Sequence, residues 1–130
     1  MKLLCDEDVG TGVPTALSAV GLFARPLVSL GLGGHPDIEW LAFAGANDWL
    51  VFSYDKKMMS VPEERATIVR ENVGVIFLTS QTIPANSLYL LLRKWTDLEL
   101  LDGSEPRPFV RFLNLRGQLT RQYRQFPIVG

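Results

Sequence analysis

The chain has 130 residues, 47% hydrophobic and 21% charged, which is one domain's length with enough apolar content to bury a core and too few charges for a disordered segment. Thirteen basic residues against fourteen acidic give a formal net charge of -1, which excludes an overall basic coat for nucleic acid while leaving room for a local patch. One Cys excludes an internal disulfide or a multi-Cys zinc site, one His excludes a His-rich metal site, and no stretch nears the ~20 apolar residues that span a bilayer.

In chain order, Leu3-Leu4-Cys5 reads as a short strand buried on both faces, ending in Asp6-Glu7-Asp8. It is too short to be the apolar part of a signal peptide, so a cytoplasmic protein with a buried Cys5 is expected. Val13 to Val20 has helical apolar spacing, with Pro14 near the start and Gly21 at the end. Leu22 to Leu30 is a candidate strand that Pro26 limits to an edge. After the loop Gly31–Pro36, Asp37 opens a helix it can cap, with Trp40, Leu41 and Ala44 on its apolar face and a break over Gly45–Asp48. Trp49–Tyr54 is the clearest strand and ends at Asp55. A short helix over Glu63–Glu71, a strand over Val73–Leu78 and an amphipathic helix over Ala85–Trp95 follow. Residues 109–115 and 118–124 alternate around Arg116-Gly117 and predict a β-hairpin.

Strands alternating with helices over the first hundred residues predict a single α/β domain over 1–130, with a mostly parallel sheet and a closing hairpin. Ligands bind such sheets beyond the carboxyl ends of the strands. Asp6 and Asp55 fall just past two strand ends, and Asp37 starts a helix on the same expected edge. Three carboxylates then converge on one rim. Such a cluster repels itself unless a cation neutralises it, and oxygen ligands suit Mg²⁺ or Mn²⁺. A divalent ion there activates water and stabilises a phosphoryl transition state. Caps and turns also use such acids; this alternative is strongest for Asp37 and weakest for the three adjacent acids at 6–8. In an extended chain Asp6 and Asp8 share a side and Glu7 turns away. Glu39 is an outer or second ligand on this reading, and Asp48 is a loop residue.

The order Leu-Leu-Cys-Asp-Glu-Asp, then Asp37-Ile-Glu-Trp-Leu-Ala-Phe-Ala, then Trp49-Leu-Val-Phe-Ser-Tyr-Asp-Lys-Lys resembles the PIN-like domains, and within them the VapC-type toxin branch. Pro62-Glu-Glu-Arg-Ala, Gly74-Val-Ile-Phe-Leu-Thr and Pro108-Phe-Val-Arg-Phe agree with it. The resemblance implies a compact three-layer PIN-like fold and a Mg²⁺- or Mn²⁺-dependent ribonuclease acting as the toxin of a type II toxin–antitoxin pair. Its catalytic acids fall on Asp6, Asp37 and Asp55, with Asp8 a further metal ligand. RNA is then the substrate, a separate antitoxin chain the partner, and a homodimer a common assembly. Related groups often carry an acid where Lys57 stands; Lys56 and Lys57 are either phosphate contacts or solvated loop residues.

The last 25 residues hold Arg107, Arg111, Arg116, Arg121 and Arg124 and no acid. They can grip an RNA backbone, through Arg111 and Arg121 above all, with Tyr123 and Phe126 stacking on bases. They also suit an acidic partner or an edge hairpin kept soluble. Trp40, Trp49 and Trp95 are core or interface residues, His35 a loop residue beside the site, and Met58-Met59 an apolar loop surface or a partner contact. Two other functions compete. One is a catalytically inactive PIN-like binding module, for which Lys57 argues. The other is a receiver-like phosphoacceptor with Asp55 as acceptor, against which no Lys-Pro pair follows a fifth strand.

Overall fold

Leu3, Leu4 and Cys5 have no exposed surface, because the strand they form, β1 (Lys2–Cys5), lies inside a sheet covered on both faces. The computed structural model describes residues 1–120. In it β1 is joined by β2 (Ala24–Pro26), β3 (Trp49–Ser53), β4 (Gly74–Leu78) and β5 (Phe109–Leu113) in the order β2-β1-β3-β4-β5. Every pairing is parallel, with Leu4 opposite Arg25 on one side and Val51 on the other. All residues of β3 and β4 are buried, the uninterrupted apolar signature of a two-sided sheet.

Four helices complete the layers: α1 (Gly12–Ala19), α2 (Asp37–Ala46), α3 (Pro62–Arg70) and α4 (Pro84–Ser104). One core joins Leu3, Leu50, Phe52 and Ile76 to Val13 and Leu17 of α1 and to Leu91, Trp95 and Leu98 of α4. The other joins Leu4, Val51, Val75 and Phe77 to Trp40 and Leu41 of α2 and to Ile68 of α3. The architecture is the compact three-layer α/β fold expected for a PIN-like domain.

Several boundaries differ from the sequence reading. The second strand stops at Pro26, because proline supplies no N–H to extend the ladder, and Leu27–Leu30 coil into a 3-10 turn. β2 lies at a sheet edge, where such a proline is tolerated. Pro36, not Asp37, is the N-cap of α2. Gly45 lies inside that helix, where a Cβ would lie 2.0 Å from the Glu71 carbonyl oxygen, so only glycine fits the close approach; the break falls at Asp48, whose φ is 59°. α4 runs nine residues beyond Trp95, to Ser104. Met58 and Met59 are core, not surface (0% and 5% exposed). β5 pairs with β4 in parallel, and among the described residues the predicted hairpin shows its turn and one antiparallel bridge, Leu113 to Leu119. Residues 121–124 of its second leg, with Arg121, Tyr123 and Arg124, lie outside the described residues, as does Phe126. Trp40, Trp49, Trp95 and Cys5 are buried as expected. No helix among the described residues is long and apolar enough to cross a membrane.

Candidate active site

In a parallel sheet ordered 2-1-3-4-5, the chain leaves β1 toward one side and returns on the other, so a crevice opens between the ends of β1 and β3. The residues that follow those two strands are the acids. A cavity of about 500 Å³ opens there, lined by Asp6, Glu7, Asp8, Asp37, Tyr54 and Asp55, together with Lys56, Lys57 and Gln81. Three acids predicted from distant sequence positions thus share one cavity.

Asp6 is the buried member, 9% exposed. Its backbone N–H continues the ladder to the Phe52 carbonyl (2.9 Å). Its Oδ1 accepts from the Glu7 N–H (2.7 Å) and caps the 3-10 turn Glu7–Val9. Its Oδ2 accepts from the Ser53 hydroxyl (2.8 Å). Because the chain coils at this point rather than staying extended, Asp8 also reaches β3: its carboxylate accepts from the Tyr54 N–H (3.1 Å). Glu7 does not turn away; it lines the same cavity, and its Oε1 accepts from the Gly34 N–H (2.7 Å). Gly34, at φ 76°, takes a left-handed conformation that costs glycine little. The glycine loop before α2 is thereby tied to the end of β1. Asp37 accepts from the Trp40 indole N–H (2.9 Å), so its carboxylate is oriented by the helix it begins.

Two participants escaped the sequence reading. Ser53 closes an otherwise apolar strand and is fully buried. Its Oγ accepts from the Asp55 N–H (3.0 Å) while donating to Asp6, so one hydroxyl ties two of the acids together. The readable signal was a lone hydroxyl at the last place of Trp-Leu-Val-Phe-Ser. Ser53→Ala is expected to lower stability by about 1–2 kcal/mol, because Asp6 loses a donor inside the protein; a chemical denaturation curve measures it, and an unchanged midpoint would refute it. The second is Glu64, in the first turn of α3, whose carboxyl shares a hydrogen bond with Asp37. Paired acids at a helix start, Glu63-Glu64, ordinarily only meet the helix dipole, and nothing local marked one of them as facing the cluster.

The electrostatics record the crowding. Burial, followed by the charge of Asp8, raises the Asp6 carboxyl to about 6, against the hydrogen bonds from Ser53 and Glu7. Burial, then the bond to Asp37 and the charges of Asp37, Asp55 and Asp6, raises Glu64 to about 8. Asp8 is also raised, by burial and by Asp55 and Asp37. Among the described residues no three His, Cys, Asp or Glu side chains converge tightly enough to cage a metal as they stand. The donor set is nonetheless all carboxylate oxygen, and its mutual repulsion is what a hard divalent cation relieves.

The other candidates lie elsewhere. Glu39 meets His35 (2.9 Å), both exposed and outside the cavity wall. Lys56 donates to the Thr79 carbonyl (2.5 Å), while the exposed Lys57 lines the cavity. Arg111 does not line the cavity; it pairs with Glu105 (3.1 Å) and donates to the Thr120 carbonyl (3.0 Å). Arg107 pairs with Asp102 (2.7 Å) and donates to the Trp49 carbonyl (2.9 Å). Both arginines fasten the segment after α4 to the body of the fold. Arg121 lies outside the described residues.

The strand order alone also suits a receiver-like sheet, so topology does not choose between the functions. Among known proteins, one family model, described as a PIN like domain, matches residues 1–80, the stretch from β1 through β4 that carries Asp6, Asp8, Asp37, Asp55 and Glu64. No curated protein and no solved structure matches the chain.

Proposed function

The chain belongs to the PIN-like domain family, whose members typically carry nuclease activity, and from that premise we propose that it is a metal-dependent endoribonuclease. The observation that carries the proposal is the gathering of Asp6, Asp8, Asp37 and Asp55 in one cavity at the switch point of the sheet, with Glu64 beside them, where the acidic neighbours add to burial in raising Asp6, Asp8 and Glu64. Asp6, Asp8, Asp37 and Asp55 would hold Mg²⁺ or Mn²⁺, with Glu64 in support instead of Glu39. Such an ion supplies Lewis acidity toward water and the phosphodiester.

The protein's own groups do the positioning. Ser53 and the Glu7 N–H fix both oxygens of Asp6. The Tyr54 N–H fixes Asp8. Glu64 stands beside Asp37, its carboxyl raised by burial and by that neighbour. Lys57 brings positive charge to the same cavity for a substrate phosphate. The resemblance to VapC-type toxins supports a further proposal: a type II toxin in the cytoplasm, restrained by a separate antitoxin chain and pairing with a second copy of itself. A binding module without cleavage is the second reading, favoured by Lys57 in the cavity wall.

Incubation of the purified protein with a mixed-sequence RNA pool in Mg²⁺, Mn²⁺ or EDTA tests the proposal. Cleavage in either metal that EDTA abolishes is the expected result. Folded protein that binds RNA and cuts it in neither metal would move the assignment to the binding module.

A further inference from the structure

Beside the acid cavity lies a second one, of about 220 Å³, that shares Asp6 and Glu7 with it. We propose that this smaller cavity is a subsite for one nucleobase bearing an exocyclic amino group, on the nucleotide next to the phosphate being cleaved. The proposal rests on the nuclease reading for which nucleotide that is, but not for whether a base binds.

Two segments build the walls. The corner after β2 contributes Pro26, Leu27 and Val28, and the link into α1 contributes Gly10 and Thr11. Leu27 is anchored in the core at 1% exposure, whereas Val28 stands 60% exposed. The apolar surface is therefore held in place from below and open from above. It is smaller than a usual drug-sized site, and its extent suits a single ring system.

The polar groups narrow the occupant. The Thr11 hydroxyl makes no capping bond to α1. Glu7 is anchored through Oε1 to the Gly34 N–H. Apart from that hydroxyl, the side chains offer only acceptors. Two carboxylates at one end repel a phosphate, so the phosphate stays in the neighbouring cavity, where Lys57 stands, and the neutral part of the nucleotide turns into this one. Apolar surface suits the face of a base, and a carboxylate suits an amino group on its edge, as it does the amino group of cytosine. Adenine, cytosine and guanine each present one. Uracil presents a single N–H between two carbonyl oxygens, which the carboxylates oppose.

Two measurements test this. In the first, end-sequencing of a cleaved RNA pool should show adenine, cytosine or guanine favoured over uracil about 5-fold at one position flanking the cut, the ratio that one additional hydrogen bond gives. Val28→Trp and Thr11→Trp, both at exposed positions, should fill the cavity and bring the ratio below about 2-fold. In the second, nucleosides are titrated into metal-free protein by amide NMR. Adenosine, cytidine or guanosine should shift Gly10, Thr11 and Val28, and uridine should not. RNA cleavage without base preference, a preference that both tryptophan variants retain, or no nucleoside shifts at these amides would overturn the subsite while leaving the nuclease reading standing. Nucleoside shifts without any RNA cleavage would do the reverse. Shifts with a lysine amide alone would overturn the subsite as well, assigning the cavity to a cationic side chain.

Discussion

Asp55→Asn is expected to fold, to melt at a slightly higher temperature than the parent, and to cleave RNA about 10²–10³-fold more slowly. The opposite signs have one cause. The Asp55 side chain makes no capping bond to the turn that follows it, so little structure depends on its charge. That charge instead helps to raise Asp8 and Glu64, and its removal relieves repulsion in the metal-free protein, a trade of stability against activity seen at many catalytic sites. Asp6→Asn would be less clean. Asp6 accepts from both Ser53 and the Glu7 N–H, and an amide keeps only one accepting oxygen. A cleavage time course beside a thermal melt decides the matter. An Asp55→Asn protein with full activity would remove Asp55 from the catalytic set.

The second large effect is on stability against pH. Asp6 has a folded pKa of about 6 against an ordinary 3.8, so between these values the folded state binds more protons than the unfolded state. The stability this gives is complete below about pH 4 and is lost as pH rises through 6. A shift of this size corresponds to about 3 kcal/mol. Glu64 acts in the same direction over a window from 4.5 to about 8. The metal-free protein should therefore melt lower at pH 8 than at pH 5, by roughly 5 °C from Asp6 alone, because about half of that stability is already lost at pH 5. Mg²⁺ or Mn²⁺ should restore much of this at pH 8 and less at pH 5, where protons occupy Asp6 and Glu64. Differential scanning calorimetry across this range, with and without metal, measures both. Equal metal stabilisation at pH 5 and pH 8 would refute the account.

The elements that carry the acids were legible because they are local. A run such as Trp49–Ser53 can be read as a strand from its own residues, and an acid at its end needs no long-range information. The parallel order then brings Asp6 and Asp55 together by geometry alone. Glu64 was not legible, since its approach to Asp37 depends on how α3 packs beside α2, and helix spacing alone does not encode that. Ser53 was hidden for a related reason: its importance lies in bonds to Asp6 and Asp55 rather than in its type. Two of the arginines have partners that the sequence did not show. Arg107 and Arg111 pair with Asp102 and Glu105, acids that the sequence places close by without showing that they pair.

The burial of Met58 and Met59 bears on how damage would reach the site. The turn that begins directly after Asp55 is held to the core by these two thioethers. Conversion of either sulfur to the sulfoxide would put a polar oxygen where only apolar neighbours wait. The turn would then leave the core, carrying Lys57 and the Asp55 backbone with it. Peroxide would disarm such a protein without touching a carboxylate, and a methionine sulfoxide reductase would restore it.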